Sequence, residues 1–198
     1  MSNAQNISWE NFQVSREGRA ARYGHRSVVV WLTGLSGSGK SAITDRLEAQ
    51  LFEQGIKTCR LDGDNIRHGI SNDLGFSIKD RSENVRRVAE IAKLFVDSGA
   101  VALVSLISPL MGERAEAKSI IGTDDFIEIF VDCPLAVCEE RDKKGLYAKA
   151  RAGEIKDFTG ITSPYEAPKN PDLRLDTNSQ SLEQCSEHLL QLVTGRIL

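Results

Sequence analysis

Val28-Val29-Val30-Trp31-Leu32-Thr33 is an apolar run with no polar alternation, bordered by His25-Arg26-Ser27 and Gly34. A short run of this kind suits a strand buried on both faces, as in a parallel sheet. Glycines and serines follow, then a helical stretch from Ser41 to about Gln54, with Gly55 where a residue just past a helix end belongs. Lys57 to Leu61 predicts a second strand, with Asp62-Gly63-Asp64 at its carboxyl end. Val85, Val88, Ala92 and Phe95 recur at helical spacing, predicting a long helix over about 79–98 that Gly99 ends. Val101 to Ile107, stopped by Pro109, and Phe126 to Val131 predict a third and a fourth strand. Pro134 opens a helix at a favoured first-turn position. Leu173 to Leu175 reads as a fifth strand, before a closing helix over about Ser181 to Val193.

Two stretches lack this periodicity. Residues 1–26 are polar and mixed, and read as an N-terminal arm that is partly helical over 15–23. Residues 141–170 are basic and punctuated by Gly and Pro, which predicts a long mobile loop with a helical turn, a length that usually signals function. Strands alternating with helices give an α/β single domain over 27–198, with a mainly parallel five-stranded sheet, helices on both faces and a basic lid.

Composition narrows the partners. Lys plus Arg number 25 against 28 Asp plus Glu, a net charge of −3, so bulk charge argues against nucleic acid or a membrane surface as partner. Any anion must be held by a local cluster of positive groups. Hydrophobic residues at 40% and charged residues at 27% exclude disordered, collagenous and disulfide-scaffold chains. Cys59, Cys133, Cys138 and Cys185 form no C-x-x-C pair, and read as small buried hydrophobes in a reducing compartment rather than zinc ligands. No stretch approaches the ~18 apolar residues of a membrane span. Met1 to Glu10 lack a basic segment followed by an apolar run, so a signal peptide is not expected and the expected location is cytoplasmic.

The sharpest signal is Gly34-Leu35-Ser36-Gly37-Ser38-Gly39-Lys40-Ser41, which fits G-x-x-x-x-G-K-[ST] at every fixed position, between a strand and a helix. A chain of this composition would match it by chance on the order of 0.01 times, before that context is required. Glycines let the backbone curl so that successive N–H groups form an anion nest at a helix N-terminus. Lys40 then bridges β- and γ-phosphates, and the Ser41 hydroxyl is placed to ligate Mg²⁺. A Gly-rich turn with an incidental Lys is the bland alternative, disfavoured by the flanking strand and helix. GTPases, ATPase motors and small-molecule kinases all use this loop. No N-K-x-D appears, and the chain is short for a motor.

Ligands of open α/β sheets bind outside the carboxyl ends of the strands, where Asp62 and Asp64 fall. A carboxylate there holds Mg²⁺ through water or takes a proton from an attacking hydroxyl; a surface Asp-Gly turn is the plainer reading. Gly63 is read as allowing a tight turn between the acids. Arg67, Arg81 and Asn84 follow, the last two on one helix face away from the apolar stripe, and a guanidinium grips phosphate or sulfate with paired donors. Arg86 and Arg87 read as solvated charges, and Phe76 as either a core residue or a base-stacking ring. Arg141, Lys143, Lys144, Lys149, Arg151 and Lys156 make either a solvated loop or a cationic lid that closes on a transferring phosphate.

Taken together, Gly34–Ser41, Leu61–Gly69, Asp80–Arg87, Ile107-Ser108-Pro109, Lys144–Tyr147 and Phe158–Ile161 resemble the adenylylsulfate kinase family, in the family's order and over almost the whole chain, from Asn6 to Thr177. The resemblance implies a nucleotide-kinase-like P-loop fold, ATP with Mg²⁺, adenosine 5′-phosphosulfate as acceptor and, usually, a homodimer. It implies that Arg67, Arg81 and Asn84, with Ile107 and Ser108, hold the phosphosulfate, and that Phe76 and Phe158 sandwich the acceptor adenine. Asp62 or Asp64 would orient or deprotonate the 3′-hydroxyl, and Arg141 and Lys144 would belong to the lid. Ser108 matches a serine described as a phosphoserine intermediate; direct in-line transfer does not need one, so its role stays open. After Pro109 the family usually has an aromatic or His and then Arg, whereas this chain has Leu110 and Met111, so a cation is missing or replaced by Arg114. Ala42 stands where Thr is usual. The rivals are a related P-loop kinase acting on another nucleotide-like anion and a non-catalytic nucleotide-binding partner.

Overall fold

In a computed structural model that describes residues 8, 10 and 12–198, the first apolar run forms strand β1 (Val29–Thr33), every residue of which is buried. Asn6, Ile7 and Trp9 of the resemblance, and most of the segment bearing on a signal peptide, lie outside the described residues. Four more strands follow: β2 (Thr58–Asp62), β3 (Val101–Ser105), β4 (Phe126–Asp132) and β5 (Leu173–Asp176). They pair in the order β2-β3-β1-β4-β5, and every pairing is parallel, with Leu32 opposite Ser105 and Thr33 opposite Phe130. The central position of β1 explains its unbroken apolar character, since both faces need covering.

The helices are α1 (Arg16–Tyr23), α2 (Lys40–Glu53), α3 (Gly63–His68), α4 (Ile78–Asp97), α5 (Met111–Ile121), α6 (Leu135–Glu140), α7 (Leu146–Arg151) and α8 (Leu182–Ile197). Alternate residues of β1 divide the core into two layers. Val28, Val30 and Leu32 pack with Ile43, Leu47 and Leu51 of α2 and Leu189 and Val193 of α8. Val29 and Trp31 pack with Val85, Val88 and Ala92 of α4 and Ala117 and Ile121 of α5. Among the described residues no helix is long and apolar enough to cross a membrane. The four cysteines are free thiols, all but Cys59 buried.

Several expectations change. Helix α5 was not expected, because two of its buried positions are Glu113 and Arg114, which erase the apolar period. Helix α3 is too short for periodicity and starts where the Asp62 side chain accepts the Asp64 N–H. Gly63 makes no left-handed turn; a Cβ there would sit 2.9 Å from Leu106 Cδ2, so a larger residue would have to displace that side chain. Helix α8 runs past Val193 to Ile197, whose side chain is buried. The 141–170 stretch is organised rather than loose: the Asp142 carboxylate accepts the Leu146 and Tyr147 N–H groups at the start of α7, and Tyr147, Ala150 and Thr159 are buried. Neither arginine of the 86–87 pair is a plain solvated charge: Arg86 is half-buried and pairs with Glu83 through two nitrogens at 2.8 and 3.0 Å, and Arg87 grips Asp73 with two nitrogens at 2.6 and 2.9 Å and Glu83 at 2.9 Å, pinning the loop before α4 to that helix.

Arg114 is 3% exposed and fully engaged, donating to Glu128 Oε1 (2.8 Å), Ser108 O (2.8 Å) and Glu166 O (2.7 Å). It braces the turn after β3 and does not line the cavity described below, so it does not replace the missing family cation. Arg114→Leu should cost about 3–5 kcal/mol, because Glu128 and two carbonyls lose their donor. Urea denaturation with an unchanged m-value checks this.

Candidate active site

The loop between β1 and α2 is shaped by close approach of backbones. A Cβ on Gly34 would lie 2.4 Å from the Val131 carbonyl oxygen, and one on Gly37, at φ +75°, 2.9 Å from that of Cys138. Only glycine lets the loop pass between β4 and α6. Lys40, 8% exposed, turns its ammonium back onto the Gly34 and Leu35 carbonyls at 2.9 and 2.7 Å. Burial pushes it down from 10.5 to about 8, against the opposing pull of nearby groups that include Asp62 and Asp64. Leu35 itself packs with Cys133, Cys138 and Tyr147, and the Thr177 hydroxyl donates to Ser38 O at 2.9 Å.

At the end of β2, Asp62 joins the two halves of the site. Its Oδ2 accepts the Ser41 hydroxyl at 2.7 Å, and its Oδ1 accepts the Asp64 N–H at 3.1 Å. Hydroxyl and carboxylate oxygens side by side are hard donors of the kind Mg²⁺ takes, so these residues fit that ion. Asp64 pairs with Lys144.

One cavity of about 540 Å³ is lined by Ser36, Gly37, Gly39, Lys40 and Ser41 of the loop and by Asp62, Asp64, Arg67, Phe76, Arg81, Asn84, Ile107, Ser108, Arg141, Lys144 and Phe158. Every acceptor-side residue expected from sequence therefore meets the loop in one space. Gly34, Leu35 and Ser38 lie behind the lining. Leu110 and Met111 do not reach it either.

The acceptor end is more constrained than paired free guanidiniums. Arg81 donates to Phe76 O and Thr159 Oγ1, both at 2.9 Å, and to Asp157 O, clipping the Phe76 loop to the 157–159 segment. Arg67 donates to Gly75 O at 2.8 Å and lies 4.5 Å from the centre of the Phe76 ring. Burial, and then the charge of Arg81, push Arg67 down from its usual value. Phe76 is 64% exposed rather than core, whereas Phe158 rests edge-on against Tyr147, ring centres 5.0 Å apart. Asn84 is 4% exposed, and its Oδ1 has no partner among the described residues.

Sequence reasoning missed Thr177, Tyr147 and Thr159. Arg141 donates to Thr177 O at 2.8 Å, and Tyr147 donates its hydroxyl to Ser36 O at 2.9 Å, tying α7 to the phosphate loop. The Lys144–Tyr147 and Phe158–Ile161 blocks contain Tyr147 and Thr159, but no local pattern gives either residue its partner; Thr177 stands at the end of the resembling stretch.

An all-parallel sheet, a phosphate loop after its central strand and carboxylates at the end of β2, one strand beyond β3, define a P-loop phosphotransferase of the nucleotide-kinase type. The family described as Adenylylsulphate kinase matches residues 26–176. An adenylyl-sulfate kinase of Prochlorococcus marinus is 54% identical over 187 residues, covering 94% of this chain and 93% of that one. One of Staphylococcus carnosus is 50% identical over 191 residues, 96% of each chain. The Mycobacterium tuberculosis APS kinase CysC, solved in complex with AMPPNP and APS, has a TM-score of 0.82 and 52% identity, covering 85% of this chain and 98% of that one. The chain belongs to the adenylylsulfate kinase family.

Lys40 gives a pH prediction. Nucleotide phosphates favour its charged form, so affinity for ADP should fall as pH rises through about 8, and binding at pH values above that should take up a proton. Titration calorimetry in buffers of different ionisation enthalpy measures both. Between about 8 and 10.5 the folded chain binds fewer protons than the unfolded one at this lysine, so its contribution to folding stability rises with pH while ADP affinity falls.

Proposed function

We propose that this protein transfers the γ-phosphoryl group of ATP to the 3′-hydroxyl of adenosine 5′-phosphosulfate, giving 3′-phosphoadenosine 5′-phosphosulfate and ADP. The observation that carries this reading is the single cavity shared by the phosphate loop and the arginine–phenylalanine end, with Asp62 and Asp64 at the junction. Loop N–H groups and Lys40 would hold the β- and γ-phosphates. Bound Mg²⁺, for which Ser41 and Asp62 offer oxygens, would neutralise charge on those phosphates. Arg67, Arg81, Asn84, Ile107 and Ser108 would seat the phosphosulfate, with the adenine between Phe76 and Phe158. The 3′-oxygen would attack the γ-phosphorus in line as the bond to the β–γ bridging oxygen breaks, and its proton would pass to Asp62 or Asp64. Asp64 is paired with Lys144 and Asp62 accepts from Ser41, which holds both carboxylates at the junction of the two ends.

Arg141 and Lys144 would belong to a lid over about 141–170, tied to the loop through Tyr147 and to the acceptor end through Arg81. The arm over 1–26 would pack through α1, where Arg16 donates to Asp125 and Ser27. A homodimer, which the family resemblance implies, is part of this reading; sedimentation equilibrium reads it. A second reading, a kinase for another nucleotide-like anion, has behind it only the sequence departure at Leu110 and Met111, neither of which lines the cavity.

Purified protein should convert adenosine 5′-phosphosulfate in the presence of Mg-ATP, with a higher kcat/KM than for other nucleotide acceptors. No turnover with ATP binding intact rejects the proposal, and a preference for another acceptor selects the second reading. Arg81→Ala should raise the acceptor KM about 10–100-fold while the ADP dissociation constant stays within about twofold, because a charge-assisted contact and the clip between the two ring-bearing segments are lost together.

A further inference from the structure

Ser108 is held in a backbone conformation that an L-residue seldom takes, φ +35°. Such geometry persists where the surroundings impose it. Arg114 donates to Ser108 O, and the Thr33 hydroxyl, itself accepting from Tyr165, donates to Ile107 O at 2.7 Å. The side chain is held separately. Trp31, on the central strand, is fully buried against Phe126, and its Nε1–H donates to Ser108 Oγ at 3.1 Å. An indole has one polar group, and it only donates. Buried in an apolar layer it needs an acceptor, and the Ser108 oxygen supplies it.

That bond decides what Ser108 has left to offer. Its oxygen accepts from Trp31, and its own hydrogen has no acceptor among the described residues. Ser108 lines the cavity, so the hydrogen is free to turn toward an acceptor there. No base contacts Ser108 Oγ among the described residues, so nothing present activates it as a nucleophile.

We infer that Trp31 is a positioning residue for the acceptor: by donating to Ser108 Oγ it presents the serine hydroxyl as a fixed hydrogen-bond donor to an anionic oxygen of the bound nucleotide. The inference rests on the function proposed above. Trp31 touches no substrate; it acts through Ser108, while the ATP phosphates bind at the other end of the cavity.

Trp31→Phe keeps a buried ring and removes the N–H. With each substrate varied in turn, the variant should raise the acceptor KM about tenfold and change the ATP KM by less than about twofold. Ser108→Ala should do the same, and the double variant should be no worse than either alone. An unchanged acceptor KM, a parallel rise in the ATP KM, or effects that multiply in the double variant would each overturn the inference.

A measurement on the unaltered Trp31 covers the case in which Trp31→Phe does not fold. The chain has two tryptophans, so Trp9→Phe assigns the ¹⁵N-indole signals. The Trp31 signal should move in Ser108→Ala. In wild type it should move further when adenosine 5′-phosphosulfate is added to the ADP-bound protein than when ADP is added alone. A signal indifferent to both sinks the inference. Wild-type turnover is measured first: its absence rejects the function and this inference together, whereas normal turnover with either negative result above rejects this inference alone.

Discussion

An ammonium group buried at the end of the central strand organises this molecule. Lys40 is the first residue of α2, and its Nζ reaches back to the Gly34 and Leu35 carbonyls. A charge in that position is unfavourable unless carbonyls or phosphates surround it, and burial lowers its pKa accordingly. The arrangement requires a loop without side chains at Gly34 and Gly37, because the backbones of β4 and α6 come too close for a Cβ. It also has β1 at the middle of the sheet, flanked by β3 and β4. The free protein thus carries a charge held by two carbonyls at the loop where the proposed reading places the phosphates of ATP.

The opposite end of the cavity follows a different principle. Its arginines are committed to backbone oxygens and to a ring before any substrate arrives. Arg81 joins the segment before α4 to the segment after α7, which are far apart in sequence, so one side chain sets the relation between Phe76 and Phe158. Tyr147 makes a comparable link from α7 to the phosphate loop and touches the Phe158 ring. The two ends of the cavity are therefore linked through Tyr147 and its contact with the Phe158 ring, and the Ser41–Asp62 bond lies between them. The transfer proposed above would need both nucleotides placed across this junction, with the acidic oxygens where the hydroxyl would meet the phosphorus.

The local signals were strongest where chemistry and chain connectivity coincide. The phosphate loop, the five strands, α2, α4 and the carboxylates after β2 could be read directly, because each depends on neighbours within a few residues: an apolar run, a helical stripe, a glycine-rich loop before a helix. Periodicity failed at α5, where Glu113 and Arg114 occupy buried positions, and at α3, which has too few residues for a period to show. It failed again over 141–170, whose order comes from Asp142 at the start of α7 and from contacts with Ser36 and Arg81.

The sequence by itself determined an α/β chain with a phosphate loop, a pair of acids and a set of arginines and phenylalanines in an order shared with one kinase family. Only the tertiary structure decided which of those arginines face the cavity and which brace the fold. Arg87 and Arg114 read like the others along the chain, yet one pins a loop and the other lies buried beneath the Ser108 turn. The physical reason is that a guanidinium carries the same charge wherever it stands. Its role is set by whichever acceptors the folded backbone brings within about 3 Å, and that depends on strand order and helix packing rather than on sequence neighbours.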